Sequence, residues 1–293
     1  GSSLEVKGVL TLTPQMKQPF EIKATSITLL GDSLEDYPIQ PKRHSREFLR
    51  EVAHLRSRTN LFHAVFRLRS VASFAVHKFF NDRGFIYTHT PIVTGNDGEG
   101  AGQVFNLTTL DLNKVPLTEK GEVDYKKDFF GKRANLAVTG QLEAEAFALA
   151  FKNVYTFGPT FRAENSNTQR HASEFWMIEP EMAFADLTKD MEVSEEMVKY
   201  IIRYVFEKLP EEMEFFNKFV EKGLKDKLLN VLEKPFARIS HHKAIEILKN
   251  AKEKFENKPE FGKDISTEHE KYLTEKYFNS PMLITDWPKD IKA

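Results

Sequence analysis

The densest run of reactive side chains lies between Tyr155 and Asp186, in YTFGPTFRAENSNTQRHASEFWMIEPEMAFAD. Arg162 and Glu164 stand two residues apart, so on a β-strand both point to one face. A guanidinium presents planar donors that match phosphate oxygens two at a time. A carboxylate beside it holds the arginine in place or accepts hydrogen bonds from a ligand amine. Taken alone, such a pair is an ordinary surface ion pair worth little. The context adds weight. Asn165–Arg170 reads as a polar loop, with Arg170 and His171 at its exit and within reach of nucleotide phosphates. On the returning strand, Phe175, Met177, Glu179 and Glu181 share a face by the period-two rule. Phe175 offers a plate for stacking adenine. Glu179 and Glu181 are costly to bury unless they meet a cation, either a substrate ammonium or a basic side chain.

These residues need elements to hold them. Two strands, about Val154–Ala163 and Phe175–Ala185, would carry them as an antiparallel pair. A helix over Gln141–Lys152 precedes the pair, and Met191–Leu209 follows it as another helix. Upstream, Leu61 to about Asp82 repeats apolar residues at helical spacing after a Thr59 cap, and Gly84 ends it. A strand over Phe85–Thr88 stops at Thr90-Pro91. Ser45 caps a helix over Arg46–Leu55. Residues 94–135 are loop-rich. Ser240–Asn250 and Thr267–Tyr277 read as helices and Pro281–Thr285 as a strand. Leu4–Leu30 alternates polar and apolar residues as two strands that need a larger sheet or a neighbour. This order predicts an α+β fold, an antiparallel sheet with helices upon it. Alternating parallel strands and helices are not expected, and neither common Gly-rich phosphate loop is present.

Composition bounds the partners. The 293 residues are 41% hydrophobic and include 25 Phe, enough for a substantial core. The 42 basic and 43 acidic side chains leave a formal charge of −1, so any nucleic-acid contact would use local basic patches. With no cysteine, disulfides, thiolate metal sites and cysteine nucleophiles are excluded. No apolar run is long enough to span a bilayer, and no signal peptide is visible. A reducing, cytoplasmic location is expected. His241-His242 reads as a capped helix start, since adjacent helical residues do not face each other. The Lys-rich stretch Lys249–Lys263 is a solvated face, and Asp264 and Glu268 sit at a helix start, where carboxylates suit the dipole. No metal ligands are assigned.

The run FRAE, a loop and then RHASEF resembles the second sequence motif of class II aminoacyl-tRNA synthetases. The resemblance implies an antiparallel strand pair that holds bent ATP. Arg162 would grip the α-phosphate, Phe175 would stack on adenine, Glu164 would order the nucleotide side, and His171 would lie near the outer phosphates. The connecting loop would meet the acceptor end of tRNA. Gly84–Pro91 resembles the first motif, which implies a homodimer interface there. Glu99-Gly100-Ala101 resembles a loop whose Glu meets the amino group of the amino acid. Thr139-Gly140-Gln141-Leu142 resembles a segment whose Gln meets it too, and Glu179 stands where related aspartyl enzymes place another acceptor. Glu99, Gln141 and Glu179 would together receive an ammonium, which has three donors and no acceptor.

Longer stretches resemble bacterial-type asparaginyl members of this family: Lys42–Asn60, Phe105–Leu112, Asp128–Leu136 and Arg162–Leu187. Ser57 stands where those enzymes usually have Pro. Aspartyl members carry a Lys that reads the substrate carboxylate, and Ala144 stands at that position here. The implied substrates are L-asparagine, ATP and tRNA(Asn). The implied fold is the class II antiparallel sheet flanked by helices, preceded by remnant strands of an OB-fold β-barrel. Residues 1–30 would be that remnant, 31–45 a linker and 46–293 the catalytic domain. The family's third motif would lie beyond Ala293, with most Mg2+ ligands near it, and Gly1-Ser2-Ser3 reads as a cloning scar. The alternatives are an aspartyl-tRNA synthetase, an asparagine synthetase of the same fold, and a non-catalytic synthetase-derived binding module.

Overall fold

The computed structural model describes residues 1–16, 18–98, 104–165 and 171–291. The chain forms two compact units, Gly1–Arg69 and Ser70–Ala293.

In the first unit, strands β1 (Ser3–Leu12) and β2 (Phe20–Gly31) form an antiparallel hairpin. Its turn is closed by Thr13, whose N–H donates to the Pro19 carbonyl and whose hydroxyl donates to that of Gln18, both at 2.7 Å. The register slips beside Gly8, where a Cβ would sit 2.3 Å from the Lys23 carbonyl oxygen, so only glycine fits. The alternation expected from sequence is present, yet Val6, Leu10, Ile22 and Ile27 all remain exposed. Helix α1 (Arg46–Glu51) starts at Ser45, whose hydroxyl accepts from Phe48 N–H. It ends earlier than the Leu55 expected. Val52 leaves helical geometry, and the chain tightens into a single turn at Arg56–Arg58. That turn sets the Arg56 guanidinium over the rings of Phe62 and Phe66, at 4.8 and 5.5 Å. Helix α2 (Asn60–Asn81) begins after Thr59, as expected.

In the second unit, the end of α2 supplies Val76, Phe79 and Phe80 to a core completed by Phe85, Tyr155 and Val193. Gly84 adopts φ +75° and stops the helix, a conformation cheap only for glycine. Strand β3 (Ile86–Tyr87) follows. Strands β4 (Val93–Thr94), β5 (Asn106–Leu107) and β6 (Ala134–Leu136) form a small antiparallel sheet within the loop-rich region, in the order β4-β6-β5. Helix α3 (Gln141–Phe151) leads into β7 (Asn153–Phe161) and β8 (Glu174–Met182), and the sheet order is β3-β7-β8. Helix α4 (Leu187–Lys208) is capped by Asp186, which accepts from Lys189 N–H at 2.8 Å. Its Met197, Tyr200 and Ile201 pack on the Phe79–Phe80 core.

In the rest of the unit, two helices and a strand fall where they were expected, and the other elements do not. Helices α5 (Pro210–Phe219) and α6 (Leu224–Glu233) were not expected, although Pro at a first helical position is a start signal. Strand β9 (Ala237–Ser240), helix α7 (His241–Lys249), helix α8 (Thr267–Lys271) and strand β10 (Met282–Thr285) complete the fold. Strands β9 and β10 pair in parallel across the helices between them, and β3 pairs in parallel with β7. The antiparallel expectation holds for β7–β8 and for the β4-β6-β5 sheet, but not for these two pairs. His241 is buried and donates from Nε2 to the Lys263 carbonyl at 3.0 Å, while Ser240 caps the helix. Glu268 accepts the backbone N–H groups of Glu256 and Asn257, so it pins a loop as well as standing in the first turn of α8.

Phe80 is fully buried, stacked on the Tyr155 ring at 4.5 Å and edge-on to that of Phe85 at 5.1 Å. Phe80→Ala is expected to cost about 3–5 kcal/mol of stability, read from urea unfolding. A loss under about 1 kcal/mol would show that this ring is not what joins α2 to the sheet.

Candidate active site

The β7–β8 ladder sorts its residues onto two faces. Thr156 pairs with Glu179, Gly158 with Met177 and Thr160 with Phe175. Tyr155, Phe157, Ile178 and Met182 take the other face and join the core with α2 and α4. One side of the hairpin is thus committed to apolar packing, and the other carries the polar groups. Helix α3 covers one end of the polar face through Ala144 and Ala148, which pack on Val154. Farther along, a cleft is lined by Thr90, Pro91, Ala137, Gly140, Gly158 and Glu179. A Cβ on Gly158 would meet nothing within 4 Å, so this position is a notch in the strand surface.

Glu179 is the best-held group in the cleft. Its carboxylate accepts from the Thr139 hydroxyl, from Gly140 N–H at 3.1 and 3.2 Å, and from the Thr156 hydroxyl at 2.8 Å. Thr139 Oγ1 also accepts from Gln141 N–H at 3.1 Å, which turns its own proton toward Glu179. Gly140 precedes the first turn of α3 and has no side chain to cap it. The Glu179 carboxylate therefore sits at that helix N-terminus, where the dipole favours a negative charge. A Cβ on Gly140 would lie 2.5 Å from Thr90 Oγ1, so the close approach requires glycine. The expectation that Glu179 would need a cation is corrected here: neutral donors from two segments, Thr139-Gly140 and Thr156, hold it.

Glu181, its neighbour on the same face, has a different environment. It pairs with Val154 beneath α3. Burial, then the charges of Glu145, Glu179 and Asp190, pushes its carboxyl up to about 7. Gln141, expected beside Glu179, instead donates from Nε2 to Glu145 Oε1 at 2.9 Å. Only its backbone N–H joins the Glu179 cluster, through Thr139. Ala144 is fully buried.

At the far end of the hairpin, β7 stops at Phe161, two residues short of the expected Ala163. Arg162 still donates its backbone N–H to the Ser173 carbonyl at 3.1 Å, and its guanidinium lies 5.7 Å from the Phe175 ring centre. The two residues expected to grip phosphate and adenine are therefore adjacent. Glu164 has left the strand and faces His171, whose Nε2 lies 3.8 Å from its Oε2. Glu99 and Arg170 lie outside the described residues. Thr139, Thr156 and Glu145 were not singled out from the sequence. The Thr-Gly before a helix was the available signal for the first of them. Among the described residues, no cluster of three or more His, Asp or Glu side chains is placed to hold a metal ion, so no magnesium site is assigned to them. Among them too, no helix is long and apolar enough to cross a membrane.

A carboxylate clamp, an arginine beside an aromatic plate and an antiparallel strand pair accord with the family the chain matches. The family model described as tRNA synthetases class II (D, K and N) covers residues 45–293, and the chain belongs to that family. Among curated relatives, it is 65% identical over 293 residues to an asparagine–tRNA ligase of Acholeplasma laidlawii and 63% identical over 292 residues to one of Alkaliphilus oremlandii. Each match covers 100% of this chain and 63% of the relative, so the chain spans less than two thirds of their length. A crystal structure of asparaginyl-tRNA synthetase from Pyrococcus horikoshii, complexed with asparaginyl-adenylate, superposes with TM-score 0.81 at 30% identity, over 100% of this chain and 60% of that one. An aspartyl-tRNA synthetase from Entamoeba histolytica, 20% identical with TM-score 0.70, shares the fold.

The raised Glu181 carboxyl has a consequence for stability. An acid whose folded pKa is about 7 against an ordinary 4.5 binds more protons folded than unfolded between those values. Stability contributed by this group therefore falls as pH rises from about 4.5 to 7. Glu181→Gln is expected to gain stability relative to the parent at pH 8 and little at pH 5, read as urea midpoints. An equal effect at both pH values would show that Glu181 titrates as an ordinary surface acid.

Proposed function

We propose that the protein is an asparagine–tRNA ligase, which activates L-asparagine with ATP and passes it to tRNA(Asn). The observation that carries this reading is the Glu179 clamp. A carboxylate fixed in place by neutral donors stands where a substrate ammonium, with three donors and no acceptor, can meet it. Glu99 and Gln141 are its proposed partners, Gln141 accepting through Oε1 while Nε2 donates to Glu145. In the first step the asparagine carboxylate oxygen attacks the ATP α-phosphorus, and the bond to pyrophosphate breaks. Arg162 takes the α-phosphate charge, Phe175 stacks on adenine, and Glu164 and His171 order the outer nucleotide. In the second step a terminal tRNA hydroxyl takes the asparaginyl group and AMP leaves. Such catalysis rests on positioning and on charge stabilisation rather than on a covalent enzyme intermediate. Magnesium neutralises ATP phosphate charge when bound.

Several finer assignments belong to the same proposal. Residues 1–30 belong to an OB-type barrel, residues 31–45 are a linker and 46–293 form catalytic domain. The protein is a cytoplasmic homodimer joined near Gly84–Pro91. Asparagine is favoured over aspartate because Ala144 supplies no cation for a second substrate carboxylate, and the relatives at 60–65% identity carry the asparagine name. A buried carboxylate without a partner costs several kcal/mol, by rough estimate.

ATP–pyrophosphate exchange with asparagine and aspartate side by side tests the substrate. Binding of a non-hydrolysable asparaginyl-adenylate analogue, measured by calorimetry, tests the cleft independently of turnover. Asparagine-dependent exchange, or preference for the asparaginyl over the aspartyl analogue, is expected. The opposite preference moves the protein to the aspartyl branch, and no binding of either analogue would sink the catalytic reading. Arg162→Ala is expected to abolish exchange in the active protein while leaving its unfolding midpoint within about 0.5 kcal/mol of the parent. Near-normal exchange in that variant would remove Arg162 from the mechanism.

A further inference from the structure

The connection between β5 and β6 carries a feature that the activation chemistry does not use. Asp128 is buried, and its carboxylate accepts four hydrogen bonds: from the Thr108 hydroxyl at 2.6 Å, the Thr109 N–H and hydroxyl at 2.9 and 2.8 Å, and Phe129 N–H at 2.7 Å. Those bonds hold its carboxyl down at about 2. They also tie the loop shut across the hairpin. Gly131, at φ +64°, donates its N–H to the Asp128 carbonyl at 3.0 Å and closes a tight turn. Phe129 and Phe130 are the two central residues of that turn. Their rings meet edge to face at 5.0 Å, and they are 78% and 41% exposed.

An anchored turn that presents two adjoining aromatic rings to solvent marks a candidate interaction site. The surrounding charges indicate what kind of partner suits it. Residues 126–133 carry four cations, Lys126, Lys127, Lys132 and Arg133, against one carboxylate, Asp128, whose acceptors are already filled. Lys127 approaches Asp124 at 3.9 Å, and Arg133 donates to the Asn106 side-chain oxygen. Lys126 makes no ion pair among the described residues. Exposed rings among lysines and an arginine suit a polyanion whose units have flat faces, as single-stranded nucleic acid does. The position fits as well. Strand β6 runs from this turn toward Thr139 and the Glu179 clamp, and eight residues of chain span at most about 29 Å.

We propose that the Asp128–Gly131 turn, with Lys126, Lys127, Lys132 and Arg133, is a docking surface for single-stranded RNA beside the cleft. Bases stack on Phe129 and Phe130, and the cations take the backbone phosphates. The inference rests on the proposed tRNA partner for which RNA is bound, while its test reads RNA binding alone.

The probe is a labelled single-stranded RNA of about 12 nucleotides, followed by fluorescence anisotropy with this chain. Phe129→Ala/Phe130→Ala is expected to weaken binding about tenfold or more. Lys126→Ala/Lys127→Ala is expected to weaken it and to flatten the dependence of log affinity on log salt by about one unit. Circular dichroism and thermal unfolding check that both variants fold, as these exposed positions predict. No RNA binding by the parent chain, or equal binding by parent and both variants, would overturn the proposal. So would light scattering that shows self-association lost in the phenylalanine variant while RNA binding is unchanged, since the rings would then cover a second copy. RNA binding lost in the variants, in a protein with no preference for asparaginyl-adenylate analogues, would support this surface while removing the function proposed above.

Discussion

A carboxylate carried inward on a β-strand must find hydrogen-bond donors or give up its charge more readily. Glu179 and Glu181 stand two residues apart on one face of β8 and meet this constraint differently. Glu179 gathers two threonine hydroxyls and a backbone N–H from two separate stretches of chain. Glu181 lies under α3 among other acids and is pushed up to about 7. The arrangement around Glu179 links the main parts of the second unit. Thr156 ties it to β7, and Gly140 and Thr139 tie it to the start of α3. The cleft is therefore held by the same bonds that hold the helix to the sheet.

Much of this was legible in the sequence because a strand has a period of two. Phe175, Met177, Glu179 and Glu181 were expected on one face, and the ladder puts Glu179 opposite Thr156 and Phe175 opposite Thr160. The caps at Ser45, Thr59, Gly84 and Ser240 were legible because each is a local event, one side chain or one left-handed residue. The donors to Glu179 were not. Thr139 is 40 residues away and Thr156 is 23, and it is the register of β7 on β8 that brings Thr156 across and the turn into α3 that brings Thr139. The parallel pairing of β9 with β10 was hidden for the same reason, since it depends on a crossover rather than on any local pattern.

Gln141 shows where a local rule competes with a remote one. On a helix it faces Glu145, one turn on, and a side-chain bond between such positions is available without any ligand. In the structure that bond forms. To meet a substrate ammonium in the proposed reading, Gln141 accepts through Oε1, the atom that its bond to Glu145 does not use. The side chain then links substrate to the acidic group under α3, because Glu145 is one of the charges that raise Glu181.

The register also fixes the order in which a ligand would lie. Glu179 and Phe175 are four residues apart on β8, about 13 Å along the strand. Arg162 leaves β7 beside the Phe175 end, 5.7 Å from its ring centre. An extended molecule along this face would meet an anion at one end, and a cation and an aromatic plate at the other. A ligand with an ammonium at one end, a phosphate near the other and a flat ring beyond it matches that sequence of groups, and its reverse does not. The antiparallel pairing of two strands thus orders the proposed chemistry, because a slip of one residue would turn Glu179 and Phe175 into the apolar core and bring Ile178 and Trp176 to the cleft.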